Sequence, residues 1–253
     1  MDLGLEGKRA IVTGATRGIG RKVAEALLGE GCAVGFCARD GAEVEAAAAE
    51  MAAIGPKVVG GVADVTDTDG LRAWVAAAAD ELGGLDILVP NASALGPAAD
   101  EAAWRQGLEV DVLGTVRAVE TALPHLEASA AAAIVGIAST AAINTTGQPR
   151  AYGGLKAALI NYLSSLSRNL GTQGIRVNTV SPGAIYFEGG VWDTRKRETP
   201  DVYEAAVQRS PMKRLGRPEE VANAVVFLAS PAASFISGAN LIVDGAATSL
   251  VQF

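Results

Sequence analysis

The chain has 253 residues, of which 49% are hydrophobic and 19% are charged, a composition typical of a globular protein with a large core. Its formal net charge of −7, without a basic block, argues against nucleic acid or an anionic membrane surface as a partner. No uninterrupted apolar segment is long enough to span a bilayer, and the first residues lack the pattern of a signal peptide. We therefore expect a cytoplasmic protein with no membrane partner.

Cysteine and histidine are too scarce and too scattered to suggest a metal site. Cys32 and Cys37 lie five residues apart in one predicted strand, so their side chains point to opposite faces and cannot form a disulfide. His125 is the single histidine. Without a cluster of cysteine and histidine, we predict no bound metal.

Short apolar runs alternate with helical patterns along the whole chain. The runs predicted as strands are 8–13, 32–38, 57–63, 85–89, 132–138, 175–180 and 241–243. The helical patterns include 44–53, 71–82, 102–122 and the segment that follows residue 150. Since no linker interrupts the alternation, we expect one domain over residues 1–253. Its fold class is α/β, a doubly wound parallel sheet of about seven strands with helices on both faces and ligands at the carboxyl ends of the strands.

The first predicted strand ends in a glycine-rich turn, which passes directly into a helical pattern. A strand, a glycine turn and a helix N-terminus together form a cradle for phosphate, because backbone N–H groups and the positive end of the helix dipole face the anion. The spacing G-x-x-x-G-x-G differs from the general dinucleotide fingerprint, and an ordinary turn is the alternative. The candidate binding residues are Gly14, Thr16, Arg17, Gly18, Ile19 and Gly20.

The end of the second strand bears on which dinucleotide binds. A carboxylate at this position selects the ribose hydroxyls of NAD, whereas an arginine suits the 2′-phosphate of NADP. Here Arg39 follows the strand, and Arg17 lies in the glycine turn, so the sequence favours NADP(H) over NAD(H). Both arginines could instead be ordinary surface residues. If the strand ended two residues later, Asp40 would favour NAD.

Later strand ends carry further candidates. Asp64 is suited to accept a hydrogen bond from the adenine amino group while Val65 packs on the ring, although Asp64 could equally form a local turn with Thr66. Asn91 follows the fourth strand, and Ser139 follows the fifth. Because these ends meet at one edge of a parallel sheet, we expect the residues to line one cleft.

Tyr152 and Lys156 are spaced four residues apart in a predicted helix and so project from one face. A phenol with an ordinary pKa of about 10 is a poor acid at neutral pH, but a fixed ammonium beside it stabilises the phenolate. Such a pair can give a proton to a carbonyl oxygen or take one from an alcohol. Chance spacing on a solvated helix is the alternative. Gly153 and Gly154 weaken the helix, which suggests that something bulky approaches its backbone.

In their order and spacing, these motifs closely resemble those of the short-chain dehydrogenase/reductase family over nearly the whole chain. The supporting residues are Thr13-Gly14-x-x-x-Gly18-x-Gly20, Asp64, Asn91-Ala92, Ser139, Tyr152-x-x-x-Lys156, Asn178, Pro182-Gly183, 216–222 and Asp244-Gly245. The nearest likeness within the family is to 3-oxoacyl-[acyl-carrier-protein] reductases and related ketone reductases. The resemblance implies a Rossmann-type fold and an NAD(P)-dependent oxidoreductase that acts on CH–OH donors.

The resemblance also assigns roles to individual residues. Tyr152 would be the general acid in reduction and the base in oxidation, and Ser139 would hold the substrate oxygen. Lys156 would stabilise the tyrosinate and bind the nicotinamide ribose. Further cofactor contacts are implied at Asn91, Ala92, Pro182, Gly183 and Ile185. Hydride passes directly between nicotinamide and carbon, so no metal is needed.

The chain departs from the family at Asp111, where an asparagine completes the catalytic tetrad. If that residue acts largely through its backbone carbonyl, aspartate can replace it. If the side-chain amide must donate a hydrogen bond, an ionised aspartate cannot. We expect activity to survive, and we count Asp111 among the catalytic candidates.

A glycine-containing segment at about 184–213 concentrates aromatic residues in an aromatic-poor chain and is predicted to be a substrate lid. The substrate candidates are Ser93, Ala141, Tyr186, Phe187 and Trp192, and Phe187 occupies about the position of a family threonine that contacts the cofactor amide. The rings could instead pack on the scaffold or a neighbouring subunit. The charged run 193–198 is read as a solvated face, although its cations could meet an acidic carrier or a phosphate.

The sequence therefore predicts an NADP(H)-dependent enzyme that interconverts a ketone and a secondary alcohol, on a hydrophobic or aromatic small molecule. One alternative is a 3-oxoacyl-[acyl-carrier-protein] reductase. Another, of a different class, is a non-catalytic NADP-binding sensor, against which the intact Ser139, Tyr152 and Lys156 argue. The resemblance also implies a homodimer or homotetramer, assembled through the helices at 102–122 and 151–170 and the C-terminal strand.

Overall fold

The computed structural model describes residues 2–96, 98–145 and 149–250. These residues form seven strands: β1 (Arg9–Thr13), β2 (Ala33–Ala38), β3 (Val58–Val62), β4 (Ile87–Val89), β5 (Ala133–Ile137), β6 (Arg176–Pro182) and β7 (Asn240–Val243). All pair in parallel, in the order β3-β2-β1-β4-β5-β6-β7. The order reverses between β1 and β4, where open sheets of this kind bind ligands. The predicted fold class is confirmed.

Nine α-helices lie within the described ranges: α1 (Gly18–Gly29), α2 (Gly41–Met51), α3 (Thr68–Leu82), α4 (Glu101–Gly107), α5 (Gly114–Glu127), α6 (Ala151–Leu170), α7 (Val191–Glu198), α8 (Pro200–Arg209) and α9 (Pro218–Ala229). A π-helical segment, Leu108–Leu113, joins α4 to α5. None of the helices in this part of the chain combines the length and the apolar character that crossing a bilayer requires.

Two apolar clusters cover the two faces of the sheet. The first packs α1, α2 and α9 against one face, and the second packs α3, α5 and α6 against the other. Successive residues of one strand enter different clusters, as Ile11 and Val12 do, because their side chains point to opposite faces of the sheet. Cys32 and Cys37 are divided in the same way, which confirms that they do not face each other. Burial raises the pKa of both thiols to about 12.

The amino ends of β1 and β4 are joined by a partly buried ion pair, in which the Arg9 side chain is 30% exposed. The carboxylate of Asp86, which is 3% exposed, accepts hydrogen bonds from the backbone N–H and the guanidinium of Arg9 and from the hydroxyl of Ser129. This arrangement fixes the two central strands at the end of the sheet opposite the ligand-binding edge.

Several boundaries differ from those predicted. Most strands begin or end one or two residues away from the apolar run, since ladder pairing rather than hydrophobicity decides where a strand stops. The predicted helix 102–122 is instead two α-helices separated by the π-helical segment. The predicted helix 44–53 begins earlier, at Gly41, because the Asp40 side chain accepts a hydrogen bond from the N–H of Glu43 and caps it.

Candidate active site

The glycine turn lies between β1 and α1 and leaves the first turn of α1 without a side-chain cap. Arg17 at the N-cap is extended, and Gly18 has a φ of +59°, which favours glycine. The unpaired N–H groups of this first turn and the helix dipole create a site for an anion. The residues at this turn therefore fit the phosphates of a dinucleotide.

Asn91 stabilises the glycine turn from the neighbouring strand end. Its side-chain N–H₂ donates to the carbonyls of Thr13 at 3.0 Å and Gly14 at 2.9 Å, while its own backbone N–H donates to the Thr13 hydroxyl. The N–H of Ala92 donates to the same hydroxyl. Asn91 thus holds the backbone of the glycine turn in place.

Two arginines near the glycine turn and the next strand are exposed, Arg17 in the turn itself and Arg39 directly after β2. The strand stops at Ala38, and Arg39 and Arg17 are exposed without a carboxylate within 4.0 Å among the described residues. Asp40 is engaged as the cap of α2 rather than at the strand end. Sequence reasoning missed Glu43, whose carboxylate accepts a hydrogen bond from the Thr16 hydroxyl at 2.9 Å. No sequence signal indicated this pairing, because the two residues lie in different elements.

Asp64 and Val65 follow β3. The carboxylate of Asp64 accepts hydrogen bonds from both the N–H and the hydroxyl of Thr66, which is the turn alternative named above. Val65 is buried, and its carbonyl accepts a hydrogen bond from Arg117.

Tyr152 and Lys156 both lie in the first two turns of α6, with the ammonium 5.7 Å from the centroid of the phenol ring. Lys156 is only 2% exposed and donates a hydrogen bond to the carbonyl of Ile137, at the end of β5, at 2.9 Å. Because Lys156 is buried, the spacing of the two residues is not a chance arrangement on a solvated helix face. Ser139 follows the same strand, and its hydroxyl oxygen accepts a hydrogen bond from the N–H of Ala141.

The two glycines of α6 are explained by close neighbours. A Cβ on Gly153 would lie 2.7 Å from the carbonyl oxygen of Ala141, and one on Gly154 would lie 2.5 Å from the ring of Trp104. The bulky neighbour expected at this part of the helix is thus the turn that follows Ser139 together with an indole ring. Glycine here allows the Ser139 turn and α6 to pack closely.

Asp111, in the π-helical segment, forms a buried ion pair with Lys156. Its Oδ1 lies 2.9 Å from Nζ of Lys156, and both side chains are 2% exposed. The same carboxylate accepts hydrogen bonds from the Ser93 hydroxyl at 2.6 Å and from the Ala94 N–H at 3.0 Å, and the backbone carbonyl of Asp111 accepts one from Thr115. Ser93, expected to contact substrate, therefore supports Asp111. The sequence carried no signal for the ion pair, since 45 residues separate its partners.

The aromatic residues of the predicted lid have different neighbours. The Tyr186 hydroxyl donates a hydrogen bond to Asp193 at 3.0 Å, which raises the pKa of Tyr186, and the Tyr186 ring meets that of Tyr203 edge to face. The guanidinium of Arg195 stacks on Trp192 at 4.5 Å. Tyr186 and Trp192 thus contact other residues of the segment itself. Phe187 instead lies against the glycine turn.

The remaining motif residues hold the scaffold around this cleft. Asn178 is buried and exchanges hydrogen bonds with Ile236 and Ala239. Glu220 accepts hydrogen bonds from Arg214 and from the N–H of Arg217, and these lower its pKa to about 2. Ile185 is buried, while Pro182 and Gly183 end β6 and turn the chain towards the lid.

Residues 14–248 match the family described as enoyl-(acyl carrier protein) reductase. The chain belongs to the short-chain dehydrogenase/reductase family. It is 39% identical over 248 residues to isoepoxydon dehydrogenase of Penicillium expansum, a match that covers 96% of this chain and 95% of the relative. It is 38% identical over 255 residues to cis-4-hydroxycyclohexanecarboxylate dehydrogenase of Sinomonas cyclohexanicum, covering 95% and 96%.

Solved structures lead to the same family. L-Sorbose reductase from Gluconobacter frateurii, in complex with NADPH and L-sorbose, superposes with a TM-score of 0.89 at 32% identity, covering 99% of this chain and 100% of that one. As a short-chain dehydrogenase/reductase, the chain is an NAD(P)-dependent oxidoreductase of alcohol and ketone substrates.

Proposed function

We propose that this enzyme uses NADP(H) to interconvert a ketone and a secondary alcohol on a hydrophobic, ring-containing small molecule, with Tyr152 as the general acid and base. The observation that carries the proposal is the Tyr152 ring beside the buried Lys156, whose ammonium is held by Ile137 and Asp111. A buried ammonium is unfavourable unless it is paired and hydrogen-bonded, and these two partners supply both for Lys156.

The chemistry of the side chains follows from their contacts. When bound, the nicotinamide coenzyme supplies or accepts the hydride. Tyr152 gives its phenol proton to the oxygen of the developing alkoxide in reduction and removes it from the alcohol in oxidation. Ser139 holds that oxygen with its O–H, since its oxygen already accepts from Ala141. Lys156 stabilises negative charge on the tyrosine oxygen and is suited to the ribose hydroxyls. Asp111 and the Ile137 carbonyl fix the ammonium in place.

The NADP(H) preference is supported by Arg17, in the glycine turn, and Arg39, directly after β2, which are exposed and have no carboxylate partner in the part of the chain that the structure describes. The NADPH complex of the sorbose reductase supports the same choice. The position of Glu43 favours NAD(H) instead, since its carboxylate accepts a hydrogen bond from the Thr16 hydroxyl in the glycine turn.

The substrate class is supported by the aromatic residues of the lid and by a relative whose name specifies a hydroxylated cyclohexane ring. A second candidate function is 3-oxoacyl reduction on an acyl carrier. The acyl carrier protein named in the description of the matching family favours a carrier-linked substrate, as do the three consecutive cations Arg195, Lys196 and Arg197 on α7.

The test is NADPH consumption by the purified protein with an acetoacetyl thioester, several cyclic and aromatic ketones, and NADH in parallel. We expect Tyr152→Phe to abolish turnover of any active ketone while NADPH binding is retained. Tyr162→Phe, on the same helix, is the matched control, because burial raises the pKa of Tyr162 to about 12 and it has no place in the reaction. Turnover of the thioester alone would favour the carrier-linked function. Full activity in Tyr152→Phe would refute the role of Tyr152 as general acid and base. NADPH binding with no turnover of any ketone would favour the sensor.

We also propose that copies of the chain associate as a homodimer or homotetramer. β7 is the last strand in the sheet order, its outer edge has no strand partner among the described residues, and Leu241 on it is 38% exposed. Light scattering of the purified protein distinguishes monomer, dimer and tetramer.

A further inference from the structure

Phe187 connects the lid to the glycine turn. A Cβ added to Gly18 would lie 2.6 Å from Cζ of Phe187, and one added to Gly190 would lie 2.8 Å from the same atom. The outer edge of the ring therefore lies between the first residue of α1 and the residue that caps α7. Only residues without a side chain leave room for the ring at either position.

The backbone on both sides of Phe187 is held in place. Tyr186 donates its N–H to the carbonyl of Gly216 at 2.8 Å, and Ile185 before it is buried. After Phe187 the chain turns tightly, since the N–H of Gly190 donates to the carbonyl of Phe187 at 3.1 Å. Asp193 fixes the same turn by accepting a hydrogen bond from the N–H of Gly189. The ring is thus presented to the glycine turn by a defined local structure.

The contact lies beside the uncapped N-terminus of α1, which fits dinucleotide phosphate. A cavity of about 290 Å³ adjoins it. The residues that bound this cavity come from α1, the start of the lid and the start of α9, and include Gly18, Tyr186, Phe187 and Pro218. Within this lining, the ring of Phe187 is the part of the lid that rests on Gly18.

We propose that Phe187 is a coenzyme-retaining residue: its ring closes the lid on the glycine turn, and NADP(H) binds or leaves only when that contact opens. The inference rests on the proposed function only for the identity of the coenzyme. It gives Phe187 a role in coenzyme exchange instead of the substrate contact expected from its sequence position. The apolar ring offers the phosphates no hydrogen bond, so its effect falls on the rates of coenzyme binding and release.

The test is stopped-flow measurement of NADPH fluorescence, without any ketone, on binding and on displacement by excess NADP⁺. Loss of the ring's apolar contact is expected to raise the NADPH dissociation rate of Phe187→Ala by about tenfold or more. Phe235→Ala is the matched control, because Phe235 is fully exposed, and its rates should equal those of the parent protein.

A second variant tests the contact while keeping the aromatic ring. Gly190 has a φ of −85°, so alanine suits its backbone, but the new Cβ would displace the Phe187 ring. Gly190→Ala should therefore accelerate NADPH release in the same direction. Unchanged NADPH release in both variants would overturn the proposal. Because no ketone is used, faster NADPH release in a protein that turns over no ketone would support this inference and refute the proposed reaction alone.

Discussion

Removing the carboxylate of Asp111 should destabilise the protein strongly, because one buried ammonium and two partly buried donors depend on it. Among the described residues, Asp111→Ala would leave the ammonium of Lys156 with only the Ile137 carbonyl, and would leave the Ser93 hydroxyl and the Ala94 N–H without their acceptor. Breaking a buried ion pair by removing one partner costs about 3–5 kcal/mol. The unsatisfied neutral donors overlap with this cost, since all of them belong to one network.

Asp111→Asn removes the negative charge but keeps nearly the same side-chain shape. The amide oxygen can still accept one or two of the three hydrogen bonds, but the amide N–H₂ cannot accept from Ala94. We therefore expect a smaller loss, about 1–3 kcal/mol. Against a total stability of roughly 5–15 kcal/mol, both changes are large enough to measure.

The assay is urea unfolding at pH 7, with thermal melting alongside. For a chain of this length each kcal/mol lowers the melting temperature by about 2–4 °C, so Asp111→Ala should melt roughly 6–20 °C lower. Asp80→Ala is the control, because Asp80 is exposed on α3, and it should stay within about 0.5 kcal/mol of the parent. Equal stability of Asp111→Ala and the parent would refute the ion-pair argument. We also expect Asp111→Asn to remain active with a changed rate or pH profile, and an unchanged pH–rate profile would count against a role of the Asp111 side chain in proton transfer.

Two further predictions concern other charged groups. Burial alone would raise the pKa of Asp86, but hydrogen bonds from Arg9 and Ser129 outweigh it and hold that pKa below its ordinary value. The stabilisation is therefore present above the ordinary carboxyl pKa of about 4 and is lost as pH falls through the lower folded-state pKa, so Asp86→Asn should cost about 2–4 kcal/mol at pH 7 and less in acid. Arg39→Gln should raise the KM for NADPH by about tenfold and leave that for NADH nearly unchanged.

Both predictions have charge-matched controls. Asp80→Asn should show no pH-dependent difference from the parent in urea unfolding, and a constant deficit of Asp86→Asn from pH 7 to pH 3 would contradict the linkage argument. Arg168→Gln, exposed near the end of α6, removes the same charge as Arg39→Gln and should not alter coenzyme selectivity. Equal losses with NADPH and NADH in Arg39→Gln would argue against a 2′-phosphate contact.

Local patterns in the sequence were sufficient for the architecture. The alternation of apolar runs with helical periodicity predicted the parallel sheet, and each glycine turn or polar residue after a run marked a strand end. These features depend on neighbours within a few residues, so they can be read from the chain. The interruption at Leu108–Leu113 could not, because its apolar and polar residues also suit a continuous α-helix.

The same distinction between local sequence patterns and tertiary contacts applies to the site. Tyr152 and Lys156 share one helix face through their spacing, so the sequence alone joined them. The partners of Lys156 come from β5 and the π-helical segment. Phe187 contacts Gly18 of the glycine turn although the two residues are far apart in the sequence. Which distant side chains meet, and whether a carboxylate is buried against an ammonium or exposed to water, is decided only when the helices pack on the sheet. The sequence by itself determined the fold, the family and the residues suited to proton transfer. The tertiary structure decided which charges and rings hold those residues in position.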